Sequence, residues 1–179
     1  MERHFSNSRK DGALEKTHPL KPVLNRTDHK CFGCGPVNPY GLKMTFFSDG
    51  RSVFSWVTVP DHLCGWDNLV HGGVISTMLD EVMSWAAISL LKKIILTKSI
   101  TVNFLKPVHI GANLKLEGRV IRVENSREVK MEAFLYNPKE EICAKSTGIF
   151  ALLTPKLSKK LGIMDETALK DFEPLIGLP

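Results

Sequence analysis

His71-Gly72-Gly73, followed nine residues after the histidine by Asp80, is the part of this sequence best suited to chemistry. Two glycines are an unusual opening for an apolar segment. With no Cβ, glycine lets another molecule approach the main chain closely. A helix that starts there presents N–H groups without intrahelical partners and with partial positive charge. A polarised carbonyl oxygen can rest on such a group. Asp80 lies further along the same helix. A carboxylate there can attack a carbonyl carbon directly or take a proton from the water that does. Glu81 projects about 100° further round the helix and reads as structural or solvated. His71 stands at the helix mouth, where it can orient the glycine loop or cap the helix.

The elements that must position these groups follow from periodicity. Val74, Ile75, Met78, Leu79, Val82, Met83, Ala86 and Ala87 form a wide apolar stripe. The spacing predicts a helix of about five turns from Gly72 to near Leu90–Lys92. Leu42–Phe47 and Ser52–Val59 read as strands joined at Ser48-Asp49-Gly50, with residues 61–70 a loop. Ile94–Leu105, a run around Leu114–Ile121, a run around Val129–Tyr136 and Ile142–Leu153 read as four more strands. Short turns between consecutive strands favour antiparallel neighbours, and one apolar helix must be covered by the sheet. The expected architecture is α+β, a six-stranded antiparallel sheet wrapped around one long central helix.

The length of 179 residues and an apolar share of 43% suit one domain with tails. The division reads as a polar arm over residues 1–30, a domain over 31–154 and a tail over 155–179 with at most a short helix near Asp165–Phe172. The net charge is +5, which favours anionic partners without selecting among them. No basic block is interleaved with aromatics, so nucleic acid is not expected. No apolar run in residues 1–30 resembles a signal peptide. Trp85–Leu96 is broken by Lys92 and Lys93, so no membrane span is expected, and a cytoplasmic protein is. Cys31-Phe-Gly-Cys34 has metal-ligand spacing, but no second Cys or His pair completes a zinc set, and Cys64 and Cys143 stand alone. The expectation is a reduced turn segment with no metal.

Four segments in order carry a resemblance. They are Cys31-Phe-Gly-Cys-Gly-Pro-Val-Asn-Pro-Tyr-Gly-Leu42, Gly65-Trp66-Asp-Asn-Leu-Val-His-Gly-Gly73, Met78-Leu-Asp-Glu-Val-Met83 and Thr97-Lys-Ser-Ile-Thr-Val-Asn-Phe-Leu-Lys-Pro107. Over about residues 31–154 the chain resembles the hotdog-fold thioesterases, most of all the PaaI-like acyl-CoA thioesterase group.

The resemblance implies hydrolysis of a CoA thioester, with Asp80 as nucleophile or general base and the Gly72 N–H as oxyanion donor. His71 would contact the thioester or orient the loop, Gly73 would serve close packing or the ligand, and Thr97 would help hold the nucleophilic water. Many relatives carry an asparagine six residues before the histidine. Here that position is Gly65, and Asn68 is the candidate to replace it. Asn103, Lys106 and Arg127 are the candidates for CoA contacts, and Met78, Val82 and Trp85 line an acyl tunnel or simply fill the core. No cofactor is expected beyond the CoA of the substrate. Two other readings on the same fold are a non-catalytic acyl-CoA sensor and a hydratase or dehydratase.

Spacing adds one constraint. Gly72 and Asp80 are separated by a helical rise of about 12 Å, whereas a reacting carbonyl must lie ~3 Å from both its donor and its attacker. A catalytic site therefore needs a second copy with its helix antiparallel, giving a homodimer that can pair into a tetramer.

Overall fold

Alternating apolar and polar residues in the second half of the chain build long strands, and the one segment with helical period lies across them. The computed structural model describes residues 19–176. Three strands come first among the described residues: β1 (Lys21–Val23), β2 (Phe46–Ser48) and β3 (Ser52–Thr58). A small hairpin, β4 (Cys64–Trp66) and β5 (Leu69–Val70), leads into helix α1 (Gly72–Leu91). Four strands follow: β6 (Ile94–Phe104), β7 (Asn113–Asn125), β8 (Glu128–Tyr136) and β9 (Ile142–Leu153). Helices α2 (Pro155–Lys160) and α3 (Glu166–Ile176) end the described chain.

The main sheet runs β1-β2-β3-β7-β8-β9-β6, and every pairing in it is antiparallel. It has seven strands rather than the expected six. The addition is β1, which falls inside the expected 1–30 arm and pairs Pro22 with Phe47. A three-residue strand with a central proline carries no alternation to read, and proline confines it to a sheet edge. Residues 1–18 lie outside the described residues.

Helix α1 lies in the curve of the sheet. Met78, Leu79, Val82, Met83, Ala86 and Ala87 are fully buried against Leu114, Leu116, Met131, Leu135 and Phe150. The approach is closest at Gly118 of β7, where a Cβ would fall 2.5 Å from the Val82 carbonyl oxygen. Only glycine lets the helix backbone sit that near the sheet. The helix ends at Lys92, which adopts the left-handed conformation (φ 56°) and donates its N–H to the Ile88 carbonyl at 3.0 Å. By length and composition α1 would pass as a membrane span, but more than half of that window is buried inside the fold.

The carboxyl-terminal residues do more than trail. Thr154 caps α2 by accepting the Leu157 N–H at 3.2 Å. Asp165 accepts the Ala168 N–H at 2.7 Å at the start of α3. Phe172 and Ile176 of α3 are buried in the core, with the Phe172 ring 6.4 Å from Trp85, itself stacked on Phe46 at 5.1 Å. The expected tail is thus two helices, one of which closes the open side of α1.

Candidate active site

The mouth of α1 is organised by His71. Its Nδ1 accepts the Gly73 N–H at 2.9 Å, and its carbonyl accepts the N–H groups of Val74 and Ile75 at 2.9 and 3.1 Å. Imidazole thus takes the place of the usual Ser, Thr, Asp or Asn cap, leaving the exposed ring in the capping role. A Cβ at Gly73 would lie 3.0 Å from Nδ1, so the second glycine makes room for the cap, and its N–H is not free for a ligand. The N–H of Gly72 has no hydrogen-bond partner among the described residues. Gly72 is half-buried, with the Phe104 ring at the end of β6 3.5 Å from where its Cβ would be.

Asp80 sits two turns along α1, half-buried and turned toward β6. The Thr97 hydroxyl of β6 donates to Asp80 Oδ1 at 2.9 Å. Burial pushes the Asp80 carboxyl above its ordinary value, the Thr97 hydrogen bond opposes that shift, and charge on Cys31 adds to it. Asp80 and Thr97, 17 positions apart in the chain, are therefore one unit.

The remaining candidates do not gather around this pair. Asn68 is exposed in the β4–β5 turn, where its side-chain amide faces His109 Nδ1 at 3.4 Å. At Gly65, where relatives were expected to carry asparagine, a Cβ would lie 3.1 Å from His71 Cα, a tight contact. Asn103 is exposed near the far end of β6. Lys106, just beyond it, pairs with Glu141 at 2.5 Å and holds that carboxyl below the usual range. Arg127 lies at the opposite end of the sheet, its carbonyl accepting the N–H of Leu152, the partner of Ile95. Along β6, Ile95 and Asn103 are separated by roughly 26 Å. One chain alone does not form a single basic cleft from these three. Met78 and Val82 are sealed in the core, and Trp85 is nearly so.

Glu81 is neither solvated nor idle. It faces the Cys31–Gly35 turn, with Cys31 Sγ 3.1 Å from its Oε1. Burial first, and then the Cys31 charge, push the Glu81 carboxyl up to about 8. The Cys34 thiol and nearby main-chain N–H groups hydrogen-bond to Cys31 and hold its thiol down at about 4, against burial. Cys34, giving its proton to that bond and buried, is pushed up. This contact lay beyond sequence reading because its two halves are 50 positions apart.

An antiparallel sheet curved around one long helix, with a glycine-rich helix mouth and a helix carboxylate tied to the next strand, defines a hotdog-type α+β protein. Residues 67–144 match the family model described as thioesterase superfamily. An uncharacterised protein of Schizosaccharomyces pombe is 30% identical over 105 residues, covering 56% of this chain and 60% of the relative. The chain thus spans under two-thirds of that relative's length.

Two solved structures share the fold. A Streptococcus mutans protein bound to acetyl-CoA superposes with a TM-score of 0.54 at 22% identity, covering 57% of this chain and 82% of that one. The Escherichia coli PaaI protein from the phenylacetic acid degradation operon gives 0.57 at 17% identity, covering 63% and 81%.

Proposed function

We propose that this protein hydrolyses acyl-CoA thioesters at a site shared by two copies of the chain. Asp80 of one copy serves as nucleophile or general base. The Gly72 N–H of the other stabilises the oxyanion. The Thr97–Asp80 pair at 2.9 Å carries this reading. A half-buried carboxyl raised by its surroundings and oriented by a hydroxyl is a group held for proton transfer or attack. As general base, Asp80 takes a proton from water while the water oxygen bonds to the carbonyl carbon. Negative charge on the carbonyl oxygen then meets the Gly72 N–H and the positive end of the helix dipole. Collapse breaks the C–S bond, and CoA leaves as the thiolate or, on taking that proton, the thiol.

The shared site rests on reach and on an open edge. Donor and carboxylate of one chain lie about 12 Å apart along α1. Strand β6, 11 residues long, pairs only with β9 among the described residues. Its outer edge is free, and exposed Leu96 and Phe104 lie along it. Such an edge favours a second copy, and β6 carries Thr97 while its end touches Gly72. A two-fold pairing along it sets α1 against its antiparallel mate. Asn103 and Lys106 then reach CoA from one copy and Arg127 from the other, and dimers can pair into tetramers. The acetyl-CoA held by the Streptococcus mutans neighbour supports a CoA thioester as ligand.

A panel of short, long and aryl CoA thioesters, followed by thiol release, tests this. Turnover of at least one class is expected, with Asp80→Asn lowering kcat by roughly 10²–10⁴ while the melting temperature stays near wild type. Binding across the panel without any thiol release would instead indicate a sensor.

A further inference from the structure

The turn Cys31–Gly35 and helix α1 meet around three donor atoms that the hydrolysis reading does not use. Cys31 Sγ, Cys34 Sγ and a carboxylate oxygen of Glu81 all lie within 4.8 Å of one another. We propose that these three residues bind one divalent transition-metal ion, zinc by ligand chemistry, which fastens the amino-terminal turn to α1.

Geometry favours this over a solvated thiol pair. Tetrahedral zinc, with its usual sulfur and oxygen bond lengths, places neighbouring donors roughly 3.5–3.8 Å apart. The three atoms need shift little to meet that. The turn is closed by the Gly35 N–H on the Cys31 carbonyl at 2.9 Å. The Trp85 indole N–H donates to Cys34 Sγ at 3.4 Å. An N–H aimed at a sulfur is the kind of outer hydrogen bond that a metal-bound thiolate receives.

Gly33 is pressed so close to α1 that a Cβ would fall 2.3 Å from Glu81 Cγ. The third donor is therefore held against the turn by packing. A cavity of about 280 Å³, lined in part by His29, Ser84 and Ile95, adjoins the three donors. It leaves the fourth coordination position to a water. Two thiolates and a carboxylate suit zinc or cobalt and not magnesium or calcium. On binding, metal–sulfur bonds form to both sulfurs, and whatever protons Cys34, Cys31 and Glu81 still carry go to solvent.

The test uses the full chain, kept reduced and equilibrated with zinc or cobalt ions. After desalting, elemental analysis is expected to find one zinc per chain. Cobalt is expected to give a thiolate-to-metal charge-transfer band that zinc abolishes. Cys31→Ser, Cys34→Ser and Glu81→Gln should each weaken zinc binding by at least about tenfold, while Asp80→Asn, one residue away, binds zinc as wild type. Should a cysteine variant fail to fold, the isosteric Glu81→Gln decides. Folded, reduced wild-type protein without stoichiometric zinc would overturn the proposal. So would wild-type affinity in Glu81→Gln, or a Cys31–Cys34 disulfide forming in the presence of zinc. None of these readouts depends on thioester turnover.

Discussion

At the residue scale, the Thr97 hydroxyl and the His71 ring each have a separable task. Thr97→Val keeps the shape of the side chain and removes the donor to Asp80. A hydrogen bond to a charged group contributes about 1.5–3 kcal/mol to stability, so the melting temperature should fall, and with Asp80 no longer oriented kcat should fall by roughly tenfold or more. His71→Ala removes the cap on the Gly73 N–H, and a drop of about 1 kcal/mol in unfolding free energy is expected from denaturant titration. Asp80, Gly72 and His71 were legible because they lie within ten positions on one periodic segment. Thr97 was legible only through the resemblance, and the structure places it on Asp80. Glu81 was read as structural or solvated, and the sequence left that choice open: its spacing round the helix gives its direction but not what stands there, and Cys31 comes from 50 positions away. The basic candidates were chosen by charge, and charge does not say that Lys106 is held by Glu141.

At the element scale, the long elements announced themselves and the short ones did not. Helix α1 runs from Gly72 to Leu91, as its apolar stripe requires. Strands β7 and β8 follow the alternation of Leu114, Leu116, Met131, Ala133 and Leu135, all fully buried. The β4–β5 hairpin and β1 have two or three residues per strand, too few for a period to appear. Gly118, inside the alternating run of β7, gave no sign that the strand meets the helix backbone there. Gly118→Val should therefore cost about 1–3 kcal/mol by overpacking, seen as a lower melting temperature. Helix α3 was expected as a fragment, yet Phe172 enters the core beside Trp85. Phe172→Ala should destabilise by roughly 3 kcal/mol, an effect that a loose tail would not produce.

At the scale of the whole molecule, the amino-terminal segment and the assembly decide the account. The polar arm expected over residues 1–30, mobile or surface-hugging, is held against the fold over the part of it that is described. Besides β1, Asn25 donates to the Cys34 carbonyl at 3.2 Å and Arg26 pairs with Asp171 at 3.4 Å. Removing residues 1–30 should lower the melting temperature while the remaining core still unfolds cooperatively, as calorimetry would show. The proposed assembly rests on arithmetic available in the sequence, since the rise along α1 separates donor from attacker whatever the surrounding fold. The open β6 edge supplies a place for the second copy to join.

The decisive measurement mixes two inactive variants. Asp80→Asn retains Gly72, and Gly72→Pro retains Asp80 but lacks the N–H at a position where proline suits a helix. In a random mixture half of the dimers are mixed, and each has one intact site of two. About a quarter of wild-type thioesterase activity should return. Folded mixed dimers that stay inactive against a thioester the wild type cleaves would contradict the shared site.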